Sequence, residues 1–252
     1  MASQPLTILP VTGLPEVRPG DDLAALLATA VAAHGPALAD GDVVVVAQKV
    51  VSKAEDARVP LASVEPSPFA RAWAARWERE PRQVEIVLRE ARRIVRMERG
   101  LIIAETRHGF VCANAGVDLS NTGPEPVAIL LPEDPDRSAR RLRQGIADRL
   151  GRDVAVIVAD TFGRPWRSGL VQVALGVAGL TPIIDFKGVP DADGRVMKST
   201  EVCVADQLAC AAELACGKTE GVPIAIVRGY AGPRGEGSGR ELLRDPELDL
   251  FR

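Results

Sequence analysis

At 252 residues, 46% hydrophobic and 26% charged, the chain is long enough to bury a sizeable core and too apolar to be disordered. A net charge of -3 argues against a nucleic-acid footprint, and only five of the 31 basic residues are lysines (Lys49, Lys53, Lys187, Lys198 and Lys218). The rest are arginines, whose forked donors suit carboxylates and phosphates, so small acidic molecules are the expected partners. The four cysteines form no Cys-x-x-Cys pair and no His stands at metal-ligand spacing, which disfavours a zinc site and a disulfide framework. Met1 to Pro10 lacks a basic region followed by an apolar core, and no apolar run approaches the roughly 20 residues of a membrane span. The expected compartment is cytoplasmic, with no membrane partner.

In chain order, Pro19-Gly20-Asp21-Asp22 opens a helix in which Leu23, Leu26, Leu27, Ala30 and Val31 share one face. Val43 to Val46 read as a buried strand that sets Gln48, Lys49 and Lys53 just beyond its end. A solvated helix start is the plain alternative for Lys53. Residues 56 to 82 are rich in Pro, Arg and Trp, with helices around Phe69 to Trp77 and Val84 to Arg92, and suggest a smaller lobe or lid over about 56–100. Leu101 to Glu105 and Phe110 to Ala113 form a hairpin through Arg107-His108-Gly109. Asp134-Pro135 caps and opens an amphipathic helix carrying Ala139, Leu142, Ile146 and Leu150, which Gly151 closes.

The apolar run Val154 to Val158 then leads into Asp160-Thr-Phe-Gly-Arg-Pro-Trp-Arg-Ser-Gly169, read as a turn at a strand's C-terminal end, where open α/β sheets collect ligands. Val171 to Leu180, Pro182 to Phe186, a polar connection through Asp191 to Gly194, a helix ending near Cys216 and a strand at Ile224 to Val227 follow. The glycine-dense segment Arg228 to Gly239 reads as a loop. No internal repeat or linker divides the chain, so a single mixed α+β domain of two intertwined lobes over 1–252 is expected.

Asp160 has an upstream counterpart, Asp118, in Asn114-Ala-Gly-Val-Asp-Leu-Ser-Asn121. Both follow apolar strands and sit beside hydroxyl or amide groups, an oxygen-only set that suits magnesium or manganese; turn or cap formation is the plain alternative. Gly217-Lys218-Thr219 suggests a phosphate loop, yet the motif needs a glycine where Ala212 stands, and a C-terminal helix cap explains Gly217 equally well. Backbone amides there could still touch a nucleotide. Arg164 and Arg167 flank Pro165-Trp166 and either hold a phosphate or carboxylate or form surface ion pairs. His34 and His108 make no nucleophile pair, and no Gly-x-Ser-x-Gly, His-Glu-x-x-His or early Gly-x-Gly-x-x-Gly is present, which disfavours covalent hydrolase and nicotinamide chemistry.

Taken in order, Pro10-Val-Thr-Gly-Leu-Pro15, Val51-Ser-Lys-Ala54, the Asn114 to Asn121 segment, Asp160-Thr-Phe-Gly-Arg164 with Arg167 and Gly169, Val204-Ala-Asp206 and Val227-Arg-Gly229 resemble the coenzyme F420-0:L-glutamate ligase family. The resemblance implies a homodimer with a family-specific gamma-glutamyl ligase fold. It implies a GTP-dependent enzyme that joins L-glutamate to the lactyl carboxylate of a deazaflavin precursor through an acyl phosphate, with further γ-linked glutamates. Two divalent cations, magnesium or manganese, are implied as well, and potassium is compatible with this chemistry. The family's metal ligands fall on Asp118, Asp160 and Thr161. Its nucleotide contacts fall on Thr12, Gly13, Leu14, Pro15, Gln48, Lys49, Lys53, Asn121 and the segment Gly217, Lys218, Thr219, Glu220 and Gly221. Lys53 would neutralise phosphate charge, and Arg164 or Arg167 would hold the precursor or the glutamate.

The chain departs from the family in this last segment, one residue shorter, where Glu220 is the substitute for a lost acidic metal ligand. It ends at Arg252 without the nitroreductase-like extension of some relatives, so a stand-alone ligase is expected. Two rival readings remain: the same ligation on another acceptor such as a folate, and a GTP-binding regulatory protein without turnover.

Overall fold

A computed structural model describes residues 5–119 and 126–250. In chain order, β1 (Thr7–Pro10) leads to α1 (Leu23–His34), β2 (Val43–Ala47), α2 (Gln48–Ala54) and β3 (Arg58–Pro60). Next come α3 (Pro68–Trp77), α4 (Pro81–Glu90), β4 (Ala91–Glu98), β5 (Leu101–Thr106), β6 (Val111–Ala113) and β7 (Val127–Ile129). The remainder is α5 (Pro135–Leu150), β8 (Ala155–Arg164), β9 (Arg167–Ala178), β10 (Ile183–Asp185), β11 (Glu201–Cys203), α6 (Val204–Cys216) and β12 (Ile224–Arg228). The architecture is mixed α+β with several sheets, as the composition and patterning anticipate.

The main sheet has the order β1-β12-β2-β8-β9, with β2 parallel to β8 and the other pairs antiparallel. Side chains alternate across a strand, and here both faces are covered. Val44, Val46, Val156, Val158, Ile224 and Ile226 pack with Leu27 and Ala30 of α1 and with Leu142 and Ile146 of α5. Val43, Val45, Ala155, Ile157, Ala225 and Val227 pack on the opposite face with Leu208, Ala209 and Ala212 of α6. Burial on both sides explains the unbroken valine run of β2. Local chemistry sets the helix ends: Asp22 accepts the Ala25 N–H at 3.1 Å, Asp134 accepts the Arg137 N–H at 2.9 Å, and Gly151 closes α5 at φ 62°.

A second apolar cluster joins α3 and α4 to β5 through Ala70, Ala74, Val84, Val87, Ile102 and Ala104, and it takes in Ala115, Val117 and Ala128. Beside it lies the three-stranded sheet β4-β5-β6.

Gln48, Lys49 and Lys53 lie just past the end of β2, as expected, on a helix that begins directly after Ala47. Two local expectations change. Ala91–Glu98 is a strand, whereas the periodicity carries a helix to Arg92; pairing with β5, from Ala91 opposite Thr106 to Glu98 opposite Leu101, overrides the local pattern. Asp160 and Thr161 do not lie in a turn. β8 continues through them to Arg164, held by β9 with Asp160 opposite Val173 and Thr161 opposite Gln172, and the reversal falls at Pro165-Trp166.

Asp136, in the first turn of α5, is 5% exposed and accepts the N–H groups of Val177 and Gly239 at 2.9 and 2.7 Å and the Ser238 hydroxyl. One buried carboxylate thus ties α5 to β9 and to the C-terminal segment. Neighbouring Gly176 allows this approach, since a Cβ there would meet the Pro135 carbonyl oxygen at 2.1 Å. Asp136→Ala, which strands these donors, should lower unfolding free energy by about 3 kcal/mol in urea denaturation. A loss below about 1 kcal/mol would show that the donors find other partners.

Candidate functional site

The parallel register sets Ala47 opposite Ala159, so β2 and β8 reach the same level together. Beyond it β2 turns into α2, which carries Lys49 and Lys53, while β8 presents Asp160 and Thr161. A cavity of about 870 Å³ opens here, closed by the segment after β1, the turn after β6 and the end of α6.

Asp118 enters from the turn after β6. Its backbone is bridged to Ile129, with Asp118 N–H to Ile129 O at 3.0 Å and Ile129 N–H to Asp118 O at 2.8 Å. Just before it, Asn114 and Ala115 take left-handed conformations at φ 52° and 51°, costly for a residue with a Cβ and tolerated where the surroundings fix them. Lys49 Nζ lies 2.6 Å from Asp118 Oδ2.

Asp160 stands across the cavity from this pair. Burial pushes its carboxyl up from 3.8 to about 6, and the charge of Asp118 adds to the rise; the Thr161 N–H, donated at 2.8 Å, and the ammonium groups of Lys49 and Lys218 oppose it. The site therefore holds two mutually repelling carboxylates, one of them poorly solvated. That is the arrangement a divalent cation relieves. Among the described residues no group of three His, Cys, Asp or Glu side chains converges to hold a metal. An ion between Asp118 and Asp160 would complete its shell from bound phosphate and water, the usual habit of magnesium.

Lys53 is 9% exposed, and its Nζ lies 2.5 Å from Glu16 Oε1. On the far wall Thr161 Oγ1 accepts from Lys218 Nζ at 2.7 Å and from Gln172 Nε2 at 2.8 Å. Cys112 and Cys216 also line the space, but burial pushes their thiols up to about 12 and about 11, with Asp160 and Glu213 respectively adding to the rise. Neither is a thiolate nucleophile at neutral pH.

The structure brings most of the expected residues to this one cavity. Leu14, Pro15, Gln48, Lys49, Lys53 and Asp118 line it from one side, and Asp160, Thr161, Gly217, Lys218, Thr219 and Gly221 from the other. Thr12 and Gly13 lie exposed at the end of β1, with Gly13 against the His34 ring, and do not line it. Arg164 and Arg167 pair across the exposed tip of the β8–β9 hairpin, outside the lining. Glu220, the substitute metal ligand, turns back onto its own loop and accepts from the Thr219 N–H and hydroxyl at 2.9 and 3.1 Å; those bonds, the N–H foremost, hold its carboxyl below the usual range. Asn121 lies outside the described residues.

Glu16, Gln172 and Glu213 are site residues that the sequence reading passed over. Gln172 had a visible signal, a polar residue inside the apolar run of β9. Glu213 had none, being one acid among the polar positions of α6.

The family model for F420-0:gamma-glutamyl ligases matches residues 13–229. The chain is 47% identical over 250 residues to a protein of Methanothermobacter thermautotrophicus named coenzyme F420:L-glutamate ligase, covering 98% of this chain and 99% of that one. It is 49% identical over 255 residues to a protein of the same name from Methanopyrus kandleri, covering 98% of each. A third protein of that name, from Methanocaldococcus jannaschii, is 42% identical over 214 residues, 84% of this chain and 85% of that one. With this match over most of its length, the chain belongs to the F420-0:gamma-glutamyl ligase family.

Proposed function

We propose that this protein is a GTP-dependent ligase that joins L-glutamate to the lactyl carboxylate of coenzyme F420-0 and then adds γ-linked glutamates. The observation that carries this reading is the gathering of three lysines, Lys49, Lys53 and Lys218, with two opposed carboxylates around one cavity. This charge pattern suits a polyphosphate accompanied by a divalent ion. The names of the relatives supply the substrate pair.

A carboxylate is a poor electrophile, so the γ-phosphoryl group is passed to it and the glutamate amine displaces phosphate from the resulting acyl phosphate. Lys53, released from Glu16, neutralises phosphate charge from a nearly buried position where water screens it little. Asp118 and Asp160 would hold a magnesium or manganese ion, which neutralises phosphate oxygens and aligns donor with acceptor. Lys49 pairs with Asp118 and holds its carboxylate in place. Backbone amides at 217–221 approach the phosphates where glycine permits left-handed turns, at φ 64° for Gly217 and 67° for Gly221.

Phosphate release from GTP should require L-glutamate and the deazaflavin acceptor together, with product masses rising by glutamyl increments. Release with a folate in place of that acceptor would keep the chemistry and move the substrate, and silence with both would leave a binding protein. Asp160→Asn should cut turnover by roughly two orders of magnitude, and Lys53→Ala should raise the KM for GTP by about tenfold while leaving that for glutamate in place.

The raised carboxyl of Asp160 gives a second test. Its group ionises near 3.8 when unfolded and at about 6 when folded, so its contribution to stability falls as pH rises between these values and stays low above them. An ion bound to the ionised form reverses that loss. Manganese should therefore raise the melting temperature more at about pH 7.5 than at about pH 5, and Asp160→Asn should remove the difference. Equal shifts at both pH values would take Asp160 out of the ligand set.

A further inference from the structure

Thr161, Gln172, Glu213 and Lys218 close a ring on the wall opposite Asp118. Lys218 Nζ donates to Thr161 Oγ1 at 2.7 Å and lies 2.5 Å from Glu213 Oε1. The Gln172 amide donates to the same hydroxyl and to Glu213 Oε2, both at 2.8 Å. Among the described residues, buried Glu213 Oε1 accepts no hydrogen bond of proper geometry and is matched by the ammonium charge of Lys218. The turn makes this possible: Gly217 caps α6 with its N–H on Glu213 O at 3.0 Å, and the chain folds back so that Lys218 overlies the last turn of its own helix.

From this ring we infer that the Lys218 ammonium takes the place of a second divalent cation, so that the site carries one divalent ion per chain. The inference rests on the reading that Asp118 and Asp160 hold the first. The family resemblance assigns Thr161 to a second metal, but the donors around Thr161 do not fit one. Apart from Asp160, taken up by the first ion, they offer a single carboxylate, Glu213, and a neutral hydroxyl, and Gln172 turns its N–H group, not its carbonyl oxygen, toward both. One negative charge is balanced by one ammonium, whereas a divalent ion would face Lys218 at close range and be repelled. Glu220, which might have supplied the missing charge, is committed to Thr219. Lys218 thus supplies the positive charge beside the phosphates permanently, at a point where a bound ion would come and go.

The side chain of Lys218 is 60% exposed, so its replacement leaves the fold intact. Manganese bound per chain is measured by the electron paramagnetic resonance of free ion during titration with manganese chloride, with and without GDP. Wild type should bind one ion. Lys218→Ala should bind two, Lys218→Arg one, and Lys218→Ala combined with Glu213→Gln one again. Two ions in wild type, or one in Lys218→Ala, would overturn the inference. Asp160→Asn separates this from failure of the underlying reading: the wild-type ion should be lost, and its retention would place the first ion elsewhere and remove both. No binding to any form would do the same.

Discussion

The parallel pairing of β2 with β8 is the constraint on which the rest depends. Both strands are buried on both faces, and a slip of one residue would turn Val44 and Val46 from the α1 and α5 side to the α6 side. Core packing therefore locks Ala47 opposite Ala159, and with it the approach of Lys49 and Lys53 to Asp160. The site has little say in its own geometry. Lys49, Lys53 and Asp160 are presented by a register that apolar burial enforces, while the bridge to Ile129 fixes Asp118, which is how two carboxylates can be held in place despite their repulsion.

The two aspartates belong to different packing units. Asp160 extends from the main sheet, whereas Asp118 follows Val117 of the α3, α4 and β5 cluster. A cation between them would add an electrostatic link between the two clusters, while Lys49 already supplies part of it from α2. Among the described residues no arginine lines the cavity, which uses lysines, compact point charges that can pass from a carboxylate partner to a phosphate.

Much of the fold was legible because its strongest signals are local. The valine run of β2, the Asp134-Pro135 opening and the Gly151 closure of α5 each carry their reason in neighbouring residues. α2 carries none: it is seven residues long and starts at Ala47 without a side-chain cap. β4 is rich in arginine and gains its strand character only from β5, to which it pairs with two irregularities in register. The site divides in the same way. Asp118, Asp160 and the lysines stood out by type and by resemblance, while Glu213 and Gln172 meet only because β9 and α6 converge in the fold. The 217–221 segment follows the same division: Glu220 accepts from Thr219 within its own turn while Lys218 reaches Thr161 of β8, contacts that the local sequence does not announce.

The distribution of indole rings has a practical consequence. The chain has three tryptophans, of which Trp73 and Trp77 lie 5.9 Å apart with their rings tilted at 54° in the smaller cluster, while Trp166 is 80% exposed at the hairpin tip. Intrinsic fluorescence is thus split by environment, with a half-buried pair reporting on one lobe and a largely exposed ring reporting on the other. A water-soluble quencher would silence the hairpin signal first and allow each lobe to be followed separately within the unlabelled protein.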